Sequence, residues 1–243
     1  MILSRLHPIE EAVRARPREI AWVLFDSGRR DRRINELKAL CRANGVAVRY
    51  GRREALDRAA GPAHQGAVAR IEARGYLEAG AALEGGRGTR FLLLLDEIQD
   101  PQNFGAVLRV AEGLGAGVVV PERGSAPLSE AVARASAGAV ERVPISRVKN
   151  LRRFIDLLKN EGFQVVGLDP SGSSVYELDL TGDLALVLGA EGRGMRRLVR
   201  EGCDRLARLP MAGAVGSLNV STAAAAAGYE AVRQRGLQRA NRS

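Results

Sequence analysis

Three short segments rich in Gly, Asn and Ser lie in the C-terminal two-thirds of the chain, and each follows a run of apolar residues. They are Asn103-Phe104-Gly105-Ala106, Leu188-Gly189-Ala190-Glu191-Gly192-Arg193-Gly194-Met195 and Ser217-Leu218-Asn219-Val220-Ser221. The apolar runs are typical of buried strands and span residues 91–95, 184–188 and 206–209. We therefore expect backbone amides and polar side chains at the carboxyl edge of a sheet, where open α/β proteins bind ligands.

The second segment contains three glycines that allow a tight turn, at positions 189, 192 and 194. Because glycine has no Cβ, the backbone of such a turn can approach a bound molecule closely. Taken alone, this spacing is also typical of an ordinary turn at the start of a helix. Glu191 is then either a carboxylate at a helix N-terminus or a polar group of a site. The agreement of three segments in strand context favours the site.

Polar side chains of the first and third segments supply candidate chemistry. Asn103 and Arg109 lie six residues apart, nearly two turns of a predicted helix, so both can lie toward one side of it. A guanidinium stays protonated at neutral pH, which suits the stabilisation of an oxyanion or phosphate better than proton abstraction. An Arg that only extends from a helix surface is the alternative. Ser217 and Asn219 precede the last predicted helix, where both residue types are also ordinary caps.

Together the three segments resemble the three motifs of the SpoU branch of the SPOUT methyltransferases, which transfer a methyl group from S-adenosylmethionine to a ribose 2′-hydroxyl of RNA. The resemblance extends over residues 91–235. Pro210-Met211-Ala212-Gly213-Ala214-Val215-Gly216-Ser217-Leu218-Asn219-Val220-Ser221 is similar to the 23S rRNA guanosine-2′-O-methyltransferase subgroup. The resemblance implies S-adenosylmethionine as cofactor, 23S rRNA as substrate, a trefoil knot, and a homodimer whose subunits share the active-site region.

The resemblance also implies roles for individual residues. Positions that hold the cofactor, largely through the main chain, are Gly189, Leu209, Met211 and Leu218. Catalytic positions are Asn103, Arg109, Glu191 and Asn219, with Ser217 in a lesser role. Arg109 lies beside the target nucleotide in the family, and we assign it electrostatic stabilisation of the developing oxyanion rather than the role of base.

The N-terminal third holds most of the excess positive charge. The formal charge of the chain is +9, and residues 1–75 carry 16 Lys and Arg against 9 Asp and Glu, a net charge of +7. Of the 37 basic residues 34 are Arg, whose planar fork makes bidentate contacts with phosphate. A GC-rich genome also produces Arg-rich proteins, but the clustering favours a nucleic-acid partner.

Helices and strands alternate throughout the chain. In residues 1–73 the alternation predicts a small α/β domain, and its His64-Gln65-Gly66-Ala67-Val68-Ala69 strand resembles the L30e-type RNA-binding domain that precedes the catalytic domain in this subgroup. Residues 74–90, rich in Gly, Ala and charge, read as a linker. In residues 91–243 the alternation predicts a methyltransferase domain with a parallel sheet and helices on both faces, and the resemblance implies that its motif-bearing segment is the knotted one.

Several classes of protein are disfavoured by what the chain lacks. No apolar run approaches the ~20 residues of a membrane helix, and the N-terminus has no signal-peptide plan, so we expect a soluble cytoplasmic protein. Cys41, Cys203, His7 and His64 have no metal-ligand spacing, so no metal is expected. No Lys stands in a Gly-Lys-Ser/Thr phosphate loop.

Other functions remain open at this point. The enzyme could methylate another rRNA or tRNA nucleotide, or the chain could be a non-catalytic RNA-binding factor of the same fold, although all three motifs are present. A dinucleotide-linked enzyme could use the Gly113-x-Gly115-x-Gly117 string, but this string precedes a predicted strand instead of following one.

Overall fold

The structure is a computed structural model that describes residues 1–83, 90–214 and 216–240, with side chains described as far as Leu237. Packing divides the chain into unit 1, Met1–Gly75 with Pro127–Arg142, and unit 2, Tyr76–Ala126 with Val143–Ser243. Most of the Gly-rich end of the predicted linker, residues 84–89, and position 215 of the third motif region lie outside the described residues. The boundaries 1–73, 74–90 and 91–243 stay predictions.

Strands and helices alternate along the described chain. The strands are β1 (Ile2–Leu3), β2 (Ile20–Asp26), β3 (Val48–Gly51), β4 (Ala67–Ile71), β5 (Phe91–Asp96), β6 (Gly117–Pro121), β7 (Ile145–Val148), β8 (Gln164–Ser174), β9 (Leu184–Gly189) and β10 (Arg205–Arg208). The α-helices are α1 (Leu6–Ala15), α2 (Arg32–Ala43), α3 (Arg53–Ala60), α4 (Pro101–Leu114), α5 (Glu130–Ala135), α6 (Leu151–Asn160), α7 (Arg197–Gly202) and α8 (Val220–Ala240).

Unit 1 is built on a four-stranded sheet in the order β1-β4-β2-β3. Strand β2 is parallel to β3, with Phe25 opposite Tyr50, and antiparallel to β4. Along β2 the fully buried side chains alternate at Val23 and Phe25, as a strand with one face on a core requires. Asp31 begins α2 by accepting a hydrogen bond from the Ile34 amide at 3.2 Å. Strand β1 was not predicted, because two residues show no periodicity.

A segment distant in sequence completes unit 1. Pro127–Arg142 carries α5 and a 3₁₀ turn, Ala139–Glu141, and it packs with the N-terminal residues. Arg16 forms ion pairs with Glu141 and Glu19 and donates a second hydrogen bond to Glu141 at 3.3 Å. The side chains of Arg16 and Glu141 are only 10% and 1% exposed. A buried ion pair between residues 125 positions apart therefore links this segment to the end of α1.

Unit 2 is built on a six-stranded sheet in the order β10-β8-β9-β5-β6-β7, with every strand pair parallel, as predicted. On one face, Leu92 and Leu94 of β5 pack in a core with α6 and α7. Leu93 and Leu95 point to the opposite face and are also fully buried. Helix α4 packs against β6 and α8, and α8 packs against β9. The trefoil knot stays an expectation from the family resemblance.

Strand β8 is longer than predicted. The apolar run of residues 164–168 predicts a strand, and Asp169-Pro170-Ser171-Gly172 after it is typical of a turn. In the structure β8 continues to Ser174 by pairing with β10, whose register jumps from Leu206 opposite Gly167 to Ala207 opposite Ser173. Pro170 lies in this irregular stretch, where strands tolerate proline. The stretch follows the part of β8 that pairs with β9 and lies at the carboxyl edge of the sheet.

Within the described ranges, none of the helices has an apolar stretch long enough to span a bilayer. In the same ranges, no group of three or more His, Cys, Asp or Glu side chains is arranged to hold a metal ion.

The buried pair in unit 1 gives a stability prediction. Glu141→Ala leaves Arg16 without its most buried partner, and breaking a buried ion pair typically costs about 3–5 kcal/mol. We expect a clearly lower urea midpoint, followed by the fluorescence of Trp22, the only tryptophan of the chain and a residue of β2. The matched control is Glu36→Ala, which breaks the exposed Arg32–Glu36 pair and is expected to leave the midpoint near wild type. Equal midpoints for the two variants would contradict the prediction.

Candidate functional site

A cavity of about 830 Å³ opens at the carboxyl edge of the unit 2 sheet. Its wall includes the irregular stretch of β8, the residues after β9 and those after β10. Backbone at glycines and apolar side chains make up much of the wall, and Glu191, Asn219 and Asp169 contribute polar groups. All four residues predicted to hold a cofactor line it: Gly189, Leu209, Met211 and Leu218. The volume is in the range of small-molecule sites, roughly 300–1,000 Å³.

The loop after β9 is a closed turn whose backbone favours glycine at three positions. Ala190 and Gly194 exchange two backbone hydrogen bonds, of 3.1 and 2.8 Å, and Gly192 and Gly194 have φ of 77° and 68°. A Cβ on Gly189 would lie 2.1 Å from the Gly194 carbonyl carbon and 2.2 Å from the Met195 nitrogen. No side chain fits there, so the second motif requires its first glycine for close backbone packing.

A buried carboxylate anchors the far end of this loop. Asp96, at the end of β5, is 0% exposed and pairs in register with Gly189. It accepts hydrogen bonds from the backbone amide and the Nε of Arg196, at 2.7 and 2.8 Å. The hydrogen bond to Asp96 raises the pKa of the Arg196 guanidinium, in spite of partial burial. The loop is therefore attached to the central strand at both of its ends.

Three polar side chains from the three motifs meet beside the cavity. The Asn219 amide donates to Asn103 Oδ1 at 2.9 Å and to Glu191 Oε1 at 2.5 Å. Its own Oδ1 accepts from the amide and hydroxyl of Ser221, at 2.9 and 2.7 Å. Asn219 therefore caps α8 with its oxygen and joins the other two motifs with its nitrogen. The same side chain is thus a helix cap and a member of the polar cluster at the same time.

The other two predicted catalytic residues, Ser217 and Arg109, do not belong to this hydrogen-bonded cluster. Ser217 lines the cavity and is exposed. Arg109 is exposed on α4, is not part of the cavity wall, and makes no hydrogen bond or ion pair within the described residues. The structure of one chain therefore does not bring Arg109 to the cavity. The glycines of the alternative dinucleotide string lie where α4 ends and β6 begins, at the amino edge of the sheet, with Gly115 in the left-handed region.

Two carboxylates at the site, Asp96 and Asp169, were not among the predicted site residues. Asp169 lines the cavity, and hydrogen bonds from Ser171 and Arg200 outweigh the opposing effect of burial and lower the pKa of its carboxyl group. The Asp169–Arg200 distance is 3.0 Å. Both carboxylates directly follow a predicted strand, at 91–95 and 164–168. The signal that identified the motifs, polar groups at strand ends, also points to these residues.

The close packing at Gly189 gives a second prediction. Gly189→Ala places a methyl group against the backbone of Gly194 and Met195, which cannot move aside as a flexible side chain does. Overpacking of this kind lowers the free energy of unfolding by about 1–3 kcal/mol. We expect a lower thermal unfolding midpoint. Gly182→Ala is the control, because a Cβ at Gly182 meets nothing within 4 Å. Equal midpoints for the two variants would show that the loop accommodates a methyl group.

Comparisons with known proteins agree with this architecture. The model of the SpoU rRNA Methylase family matches residues 90–229, and that of RNA 2'-O ribose methyltransferase substrate binding matches residues 6–77. A 23S rRNA (guanosine-2'-O-)-methyltransferase of Burkholderia sp is 44% identical over 240 residues, covering 96% of each chain. The corresponding enzyme of Pectobacterium atrosepticum is 42% identical over 240 residues, covering 97% of this chain and 98% of the relative.

Solved structures show the same likeness. The SpoU methyltransferase AviRb from Streptomyces viridochromogenes, in complex with the cofactor AdoMet, aligns with a TM-score of 0.82 at 26% identity. The alignment covers 98% of this chain and 91% of AviRb. The resemblance first indicated by the three motifs is thus confirmed over both the N-terminal and the motif-bearing regions. This chain belongs to the SpoU rRNA methylase family.

Proposed function

We propose that this protein methylates the ribose 2′-hydroxyl of a guanosine in 23S rRNA, with S-adenosylmethionine as the methyl donor. The observation that carries the proposal is the hydrogen-bonded cluster of Asn103, Glu191 and Asn219 beside a cavity of about 830 Å³. Membership of the SpoU family and relatives named as 23S rRNA (guanosine-2'-O-)-methyltransferases support the reaction and the substrate. An rRNA substrate also supports the cytoplasmic location that we expect from the sequence.

The cavity wall suits S-adenosylmethionine. Its apolar side chains, Leu209, Met211 and Leu218, offer surface for an adenine ring, and the glycines at 189, 192 and 194 contribute main chain to the wall. The individual carboxylates of Asp169 and Glu191 on this wall can attract a sulfonium or an ammonium group. When bound, the cofactor supplies an electrophilic methyl group. The residues that would hold it are Gly189, Leu209, Met211 and Leu218.

The polar cluster positions the acceptor. A methyl transfer requires the ribose oxygen in line with the donor, and fixed groups contribute much of the acceleration by supplying this orientation. Glu191 uses Oε1 to accept from Asn219, while its Oε2 accepts no hydrogen bond from the described residues. We assign Glu191 Oε2 and the Asn103 side chain to the 2′-hydroxyl, and Ser217 to the edge of the same site.

The reaction is tested by methyl transfer from radiolabelled cofactor to unmodified 23S rRNA, with the product mapped by resistance to alkaline cleavage. Wild type is compared with the variant Asn219→Ser. The serine hydroxyl of this variant can still cap α8 at Ser221, but the variant has no side-chain amide to orient Glu191. We expect protection at one guanosine with wild type and a rate about 10²-fold lower with the variant, at unchanged thermal stability. RNA binding without methyl incorporation by wild type would favour a non-catalytic RNA-binding factor.

Arg109 serves the site of a second copy of the chain in our proposal. It is exposed and lies outside the cavity of its own chain, which fits the homodimer with shared active-site region that the family resemblance implies. Helix α8 also exposes large apolar side chains, Tyr229, Val232 and Leu237. An apolar stripe of this kind is typical of an interface.

Mixing two inactive variants tests this arrangement. Arg109→Ala and Asn219→Ser are dissociated together and allowed to reassociate. If Arg109 acts across the interface, each mixed dimer contains one complete site, and roughly a quarter of the wild-type sites return. If Arg109 acts within its own chain, no mixed dimer has a complete site and activity stays at the level of the separate variants. Recovery of methyl transfer in the mixture therefore decides between the two arrangements.

Unit 1 holds the RNA, in our proposal, through the edge where β2 and β3 end. These strands are parallel, and the Ser27 amide donates to the Gly51 carbonyl at 2.8 Å, so the residues after both strands are neighbours. Three exposed arginines that form no ion pair within the described residues follow these two strands: Arg30, Arg33 and Arg52. Guanidinium forks without protein partners are suited to phosphate contacts.

Substitution of these three arginines by Gln tests the assignment. We expect weaker binding to rRNA fragments and a salt dependence, measured as the slope of log K against log[salt], that is shallower by about 2. The control replaces Arg18, Arg42 and Arg70, which are also exposed but lie toward the edge where β2 and β3 begin, with Arg70 of β4 opposite Trp22. Both triple variants lose the same charge. Equal effects would mean that net charge, and not this edge, determines binding.

A further inference from the structure

One charged side chain at the cavity has no role in the site described above. Arg193 lies at the tip of the loop between Ala190 and Gly194 and contributes to the cavity wall. It is exposed, and it forms no hydrogen bond or ion pair with any described residue. A guanidinium in this position is available to a ligand that approaches the mouth of the cavity.

The loop holds Arg193 in a defined place. The two backbone hydrogen bonds between Ala190 and Gly194 close the turn, and Gly189 packs directly on the backbone of Gly194. Beyond the turn, the Asp96 carboxylate fixes Arg196. Because the backbone under Arg193 is already ordered, a contact made by its side chain loses less conformational entropy than one made from a mobile loop.

Charges around the cavity leave Arg193 without a counter-ion. Neither acidic residue of the described wall pairs with Arg193: Glu191 Oε1 accepts from the Asn219 amide and its Oε2 is assigned to the ribose, while Asp169 is engaged by Ser171 and Arg200. The other arginine of the wall, Arg208, donates to the Gly172 carbonyl at 2.8 Å. The guanidinium of Arg193 is therefore the charged group of the described wall that remains free to bind an oxyanion.

We infer that Arg193 binds a backbone phosphate of the substrate RNA next to the nucleotide that is methylated. The inference rests on the proposed function, since it requires RNA at this cavity. Phosphate oxygens match the planar fork of Arg, and every RNA nucleotide presents one close to its ribose. The carboxylate of the cofactor's methionine part is the other oxyanion available at the site, and the experiment separates the two.

The test compares Arg193→Gln and Arg193→Lys with wild type in steady-state methyl transfer. The control is Arg197→Gln, which removes the same charge from a neighbouring exposed arginine that is paired with Glu201 at 2.7 Å. For Arg193→Gln we expect the KM for RNA to rise about tenfold with kcat and the cofactor Kd unchanged. The slope of log(kcat/KM) against log[salt] becomes shallower by about 0.7–0.9. Arg193→Lys keeps the slope, because the charge remains.

Three results would overturn the inference. A raised cofactor Kd with an unchanged KM for RNA would assign Arg193 to the methionine carboxylate. Equal kinetics for Arg193→Gln and Arg197→Gln would show that only the overall charge matters. Absence of methyl transfer by the wild-type protein would overturn the proposed function, and this inference with it. That outcome is distinguishable from the other two because it is seen before any variant is measured.

Discussion

The arrangement of the cavity depends on one buried carboxylate. Asp96 is fully buried at the end of β5, and the backbone amide and guanidinium of Arg196 satisfy it. An unpaired charge in such a place is strongly unfavourable, so any loop conformation that withdraws Arg196 is disfavoured by several kcal/mol, on the order of the cost of breaking a buried ion pair. This interaction therefore fixes the position of the second motif relative to the sheet, and with it the position of Glu191.

Close backbone contacts complete this restraint. Gly189 packs on Gly194, and a Cβ on Gly172 of β8 would lie 2.3 Å from the carbonyl carbon of Leu206. At both points two backbone segments touch with no space for a side chain. The structure around the cavity is at these two points main chain packed on main chain, which is stiffer than contacts between long side chains. A stiff wall exposes backbone groups to a ligand at fixed positions, and this favours binding by preorganisation.

Unit 1 shows how non-local packing sets the limits of a structural unit. Its sheet and helices come from the first 75 residues, but its buried ion pair joins Arg16 to Glu141. The segment that carries Glu141 lies within the region matched by the SpoU rRNA Methylase family. A sequence boundary between substrate-binding and catalytic regions therefore does not coincide with the boundary between packed units.

The sequence by itself determined the parallel sheet of unit 2, the three motifs and the family. Apolar runs followed by Gly, Asn and Ser are local patterns, and the carboxyl ends of parallel strands necessarily share an edge. Both the strand context of Gly189 and the position of Asn219 before α8 followed from such patterns.

Tertiary structure alone decided the interactions that join distant residues. The continuation of β8 to Ser174 depends on pairing with β10, and it could not be predicted because the residues there are typical of a turn. The Asp96–Arg196 bond, the meeting of Asn103 with Asn219, and the membership of Pro127–Arg142 in unit 1 depend on contacts between residues far apart in sequence. Periodicity reports which face of an element is buried, but not which partner buries it, because many partners present the same apolar surface.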